Sequence, residues 1–103
     1  MSIVVHLCTA RWDILETVLE VPKGVLHRYL PKWNESSFHL LCFIDWYGKT
    51  IFNRPQMRLF IPEWDRIAAN AATMKEVAYF SQVRALAERY QQRPHFYLWF
   101  DGD

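Results

Sequence analysis

Asp45-Trp46-Tyr47-Gly48-Lys49-Thr50-Ile51-Phe52-Asn53-Arg54-Pro55-Gln56 contains a turn, a strand and the start of a helix in immediate succession. Asp45 at the first position and Gly48 at the fourth predict a type I turn. Thr50-Ile51-Phe52 then returns as a short strand. Asn53 is a natural N-cap, and Gln56 three residues on supplies the reciprocal partner of a capping box. Pro55 falls in the first turn, where its missing N–H costs nothing.

Working outward, Phe38-His39-Leu40-Leu41-Cys42-Phe43-Ile44 is apolar on both faces of an extended chain and reads as a central strand. On the other side, residues 54–70 read as a helix that either kinks at Pro62 or restarts there. An interior proline removes one backbone bond, here to the carbonyl of Arg58, at about 3 kcal/mol. Thr73 and Glu76 form a second capping box, and Val77, Phe80, Val83 (with Ala87), Leu86 and Tyr90 recur at helical spacing. Arg93-Pro94 closes that helix, and Phe96-Tyr97-Leu98-Trp99-Phe100 has strand composition.

Residues 3–8 alternate as a strand, with Ile3, Val5 and Leu7 on one side and Val4, His6 and Cys8 on the other. Residues 9–35 are ambiguous. Trp12, Leu15 and Leu19 with Ile14 and Val18 fit a helix from Arg11 to about Glu20. Leu15, Thr17, Leu19 and Val21 also fit a strand by alternation, but the helix is the preferred reading. Leu26, Tyr29 and Leu30 suggest a short helical turn before Pro31. The expected fold is α+β, one domain over residues 1–103, with a small, mostly antiparallel sheet and two or three helices packed on one face. If the two later helices cover that face, His6, Cys8, His39, Tyr97 and Trp99 fall on the other.

The 103 residues are 51% apolar and 17% aromatic, with 12 Lys and Arg against 11 Asp and Glu. Such content can offset chain entropy by burial, which excludes disorder. A formal charge of +1 gives no basic field for nucleic acid or an anionic membrane. No apolar run spans a bilayer, and Met1-Ser2-Ile3-Val4-Val5-His6 lacks the pattern of a signal peptide. Two cysteines, Cys8 and Cys42, make no disulfide framework, so the expected location is cytoplasmic.

Chemistry-bearing patterns are sparse. His6 and Cys8 share a strand face, whereas His39 and Cys42 do not, and a zinc site wants about four ligands at defined spacing. Neither a metal nor another cofactor is expected. Cys8 or Cys42 beside a histidine would make a small cysteine-dependent enzyme, although no family signature surrounds either thiol. Arg54, Arg58 and Arg66 lie near one helix face, but Glu63 and Asp65 interrupt them, so the stripe reads as a solvated face without nucleic acid. The feature that stands apart is the aromatic pair Trp46-Tyr47 at the centre of a turn. It either folds back on the sheet edge or anchors a partner, since Trp and Tyr dominate interface hot spots. Trp33, Trp64 and Asp101-Gly102-Asp103 extend the same candidate surface.

The segment Phe43 to Met57, together with the ending His95-Phe96-Tyr97-Leu98-Trp99-Phe100-Asp101-Gly102-Asp103, resembles a group of small, mostly uncharacterised bacterial proteins. These carry an Asp-x-Tyr-Gly-x-Thr-x-Phe-Asn-x-x-Gln core, a helical middle and a Phe-x-Gly-Asp ending. The group is similar in size and composition to immunity proteins that neutralise secreted bacterial toxins. Pro62 departs from its pattern, in a helix that the group runs through with ordinary helix formers. The resemblance implies a non-enzymatic inhibitor that docks on a cognate toxin. Trp46 and Tyr47 would be its anchors, Asp45, Asp101 and Asp103 would meet basic residues, and Trp64 would extend the contact. The same motif also reads as scaffolding, with Gly48 closing the turn, Phe52 packing inward and Asn53 capping. A homodimer through an aromatic sheet face is a third possibility.

Overall fold

The computed structural model describes residues 2–102. Four strands, β1 (Val4–Thr9), β2 (Ile14–Val18), β3 (Lys49–Phe52) and β4 (Phe96–Asp101), form one antiparallel sheet in the order β2-β1-β4-β3. Three helices, α1 (Val25–Tyr29), α2 (Met57–Ala68) and α3 (Met74–Gln91), complete the α+β architecture expected from the sequence. No helix among the described residues is long and apolar enough to cross a membrane.

Alternation decides the two sheet faces. Val5, Leu7, Phe52, Leu98 and Phe100 are buried and join the core with Phe60, Trp64 and Ile67 of α2 and Phe80, Val83, Leu86 and Tyr90 of α3. The register puts His6 opposite Thr17 and Trp99, and Trp99 opposite Ile51, on the second face. Cys8 pairs with Tyr97 in that set, as expected. His39 does not, because its segment is not a strand at all.

Both capping boxes form as the sequence predicts. Asn53 Oδ1 accepts from the Gln56 N–H while Gln56 Oε1 accepts from the Asn53 N–H, and Thr73 and Glu76 do the same for α3. Between Asn53 and α2 the chain makes one 3-10 turn, Arg54–Gln56. α2 then runs through Pro62, whose side is exposed, so water can meet the carbonyl that the ring leaves unpaired. Within α3 the buried stripe includes Tyr79, and Val77 is half exposed.

Three expectations are corrected. Residues 14–18 are a strand, not part of a helix from Arg11 to Glu20. A tight turn, in which the Thr9 N–H donates to the Asp13 carbonyl and Thr9 Oγ1 accepts from Arg11 and Asp13, folds Ile14–Val18 back along β1. β-branched Ile14, Thr17 and Val18 favour that outcome. Phe38–Ile44 is not a central strand but a coil with a 3-10 turn at Leu41–Phe43. Its amides find a carboxylate instead of a ladder: Glu63 accepts from the N–H groups of His39 (2.7 Å), Leu40 (3.1 Å) and Leu41 (3.0 Å). Trp64, expected at the surface, is 0% exposed, stacks on Phe60 and donates its indole N–H to the Phe80 carbonyl at 3.0 Å. The ring is too large and too central to the α2–α3 contact to face solvent.

Two further buried carboxylates hold the irregular chain between β2 and β3. Glu20 accepts from the Ile3 and Leu26 amides. Glu76 accepts from the Ala72 and Thr73 amides and the Tyr29 hydroxyl, and forms an ion pair with Arg28. Each ties α1 or its flanks to a regular element, and α1 carries one wall of the site described next.

Candidate docking surface

Asp45 builds the turn with its own side chain. Its Oδ1 accepts from the Tyr47 N–H at 2.9 Å, and its backbone N–H donates to Thr50 Oγ1 at 2.8 Å. A Cβ on Gly48 would lie 2.8 Å from Asp45 Oδ2, so a side chain there would push that carboxylate aside. Gly102 seals the arrangement from the other end of the chain. Its N–H donates to the Gly48 carbonyl at 2.7 Å, and a Cβ there would meet the Trp46 carbonyl oxygen at 2.3 Å. The two halves of the sequence motif are therefore one structural unit.

This unit aims its aromatics in different directions. Trp46 is partly buried against the core and meets His27 of α1 edge-on, with ring centroids 4.2 Å apart. Tyr47 is 70% exposed. Between the end of α1 and residues 42–47 opens a groove of about 910 Å³, floored by Leu30, Ile44 and Trp46. Its rim carries Tyr47, Trp33 (78% exposed) and Phe43 (67% exposed). Trp33 belongs to the surface anticipated from the sequence. The strand expected over Phe38–Ile44 would bury Phe43; the 3-10 turn that buries Leu41 and Cys42 turns it outward instead. The charged lining residues are Lys32, Asp45 and Arg28, the last paired with the buried Glu76. The most exposed large hydrophobic side chains of this rim are aromatic.

The acidic residues expected to join the turn do not all do so. Asp45 lines the groove, with its Oδ1 engaged by the Tyr47 amide. Asp101 stands on the second sheet face opposite Lys49, 3.9 Å from His6 Nε2. There Lys49 Nζ lies 4.9 Å over the Trp99 ring, and His6 packs on the same ring at 4.8 Å. Burial lowers the His6 pKa, an effect that Asp101 partly offsets. Asp103 lies outside the described residues.

Both thiols are buried and donate to backbone carbonyls, Cys8 to Tyr97 and Cys42 to Phe38. Burial pushes both thiols up, and for Cys42 the Glu63 carboxylate adds to the effect. No cluster of three or more His, Cys, Asp or Glu suited to a metal ion occurs among the described residues. Comparison of the chain with protein-family models, curated proteins and solved structures gave no match.

Proposed function

We propose that the protein is a non-enzymatic cytoplasmic binding protein of the immunity type, which neutralises a cognate bacterial toxin by docking on it. One observation carries this reading: Trp33, Phe43 and Tyr47 stand exposed around a single groove whose floor is apolar. Leaving three large rings in water forgoes the burial that stabilises them elsewhere in the chain, roughly 25 cal/mol for each Å². A partner that covers them recovers that term. The groove also has the make-up of a hot spot, with aromatic anchors around a packed centre. Its walls are fixed by buried carboxylates and by the Gly48–Gly102 contact, so little order remains to be gained on binding. The sequence resemblance to immunity-like proteins supplies the class of partner.

The thiol chemistry supports this reading over a cysteine-dependent enzyme. A nucleophilic cysteine is accessible with a depressed pKa; these two are buried and raised. The test is whether a secreted protein with a toxic domain is encoded directly upstream of the gene and, where it is, co-expression with that protein. Wild-type chain should restore growth against that protein's toxic domain and co-purify with it. Trp33→Ala/Tyr47→Ala should weaken binding by more than about 2 kcal/mol while circular dichroism stays unchanged. Undiminished affinity in the folded double variant would refute the groove as the docking site.

A further inference from the structure

α2 begins in an uncompensated positive field. Arg54 and Arg58, one turn apart, line a cleft of about 430 Å³ with Pro55 and Gln91. A second cleft of about 350 Å³ shares Arg54 and Pro55 and adds His95. Neither is lined by a carboxylate, and the first turns of the 3-10 segment and of α2 contain no acidic residue. Elsewhere Arg28, Arg84 and Arg89 each pair with a carboxylate.

The acids that interrupt this stripe in sequence are engaged elsewhere. Glu63 turns inward to the amides of residues 39–41, and Asp65 binds Arg84. Arg66 is diverted to Ser37 and the Phe38 ring. Arg54 is held in place, its Nε–H donating to the Gln91 carbonyl at 2.9 Å, which leaves its two amino groups without a partner among the described residues. Arg58 has no side-chain partner among the described residues. Like charges one helical turn apart repel, and the positive end of the α2 dipole adds to them. The capping box takes the Asn53 and Gln56 amides, and the charged side-chain donors that line the cleft are guanidinium N–H groups.

We infer that this cleft binds a phosphate group, as inorganic phosphate or a phosphomonoester. Two guanidinium forks match a tetrahedral dianion in charge and in donor number, whereas a single carboxylate neutralises one of them. The site is separate from the aromatic groove and does not depend on the docking function.

Amide NMR spectra of the full chain at pH 7.5, recorded while inorganic phosphate is added against matched chloride, test it. Saturable shifts confined to residues 53–58 and 91–95 are expected, with a Kd of about 1 mM. Arg58→Ala should weaken binding about tenfold, and Arg58→Lys by less, because the point charge survives without the fork. Lys75→Ala should leave it unchanged. Phenyl phosphate binding more tightly than inorganic phosphate would identify a monoester as the preferred source, and equal affinity would identify the bare anion. Shifts that stay linear to about 50 mM, spread over the surface, appear equally with chloride, or saturate with unchanged affinity in folded Arg58→Ala would overturn the site.

Discussion

The Gly102 N–H donates to the Gly48 carbonyl at 2.7 Å, which joins residues 54 positions apart into one support beneath the Trp46-Tyr47 turn. The contact is backbone on backbone, with no space for a side chain: a Cβ on Gly102 would approach the Trp46 oxygen, the Trp46 carbonyl carbon and the Asp45 oxygen at 2.3, 2.5 and 2.7 Å. Gly102→Ala should therefore destabilise the fold by about 3 kcal/mol, since main-chain atoms on both sides must move. Urea unfolding of the variant checks this, and a loss under about 0.5 kcal/mol would mean that the contact is loose.

Glu63 substitutes for a missing strand ladder. Glu63→Ala should cost about 3 kcal/mol or more, because three amides lose their acceptor in or near the interior. Glu63→Gln should lose less, as one acceptor oxygen remains. Amide hydrogen exchange at residues 39–41 should accelerate in both variants, more strongly in the alanine one.

Glu76 makes stability depend on pH. Hydrogen bonds from the Ala72 amide and then from the Tyr29 hydroxyl hold its pKa below the ordinary 4.5. As pH falls through that window the unfolded chain takes up the proton first, so the contribution is intact above 4.5 and is lost as pH drops through the lowered folded value. Urea midpoints measured from pH 7 to pH 3 should fall, and Glu76→Gln should show a shallower fall over the acid end. Equal slopes in the two proteins would remove Glu76 as the cause.

The Tyr79 hydroxyl is buried with no hydrogen-bond partner among the described residues, and burial raises its pKa. Removing such a group relieves a desolvation cost, so Tyr79→Phe should be neutral or stabilising by up to about 1 kcal/mol. A clear drop in thermal midpoint would show that the hydroxyl is satisfied in solution.

Cys8 and Cys42 should react slowly with a disulfide reagent in the native protein, with an apparent thiol pKa above the ordinary 9.0. Unfolding in urea should release both. A thiol that reacts rapidly at pH 7 in the native state would support the cysteine-enzyme reading instead.

Local chemistry made part of this fold legible. Thr73 with Glu76 and Asn53 with Gln56 satisfy backbone donors only three residues away, so spacing alone finds them. Alternation in residues 3–8 and the composition of 96–100 likewise reveal strands that pair at the centre of the sheet. Trp33 could be noticed as an aromatic in an unpatterned segment, but Phe43 could not, since an apolar run looks the same in a buried strand and in a 3-10 turn.

What composition, spacing and caps determined was the α+β class, the two main helices and the hairpin-like return after Gly48, because those depend on neighbours along the chain. Tertiary structure alone decided that Ile14–Val18 is a strand, that residues 39–41 are held by Glu63, and that Trp64 is buried while Tyr47 is exposed. The reason is range. A carboxylate 22 to 24 residues away, or a glycine 54 residues away, leaves no local pattern until the chain has folded.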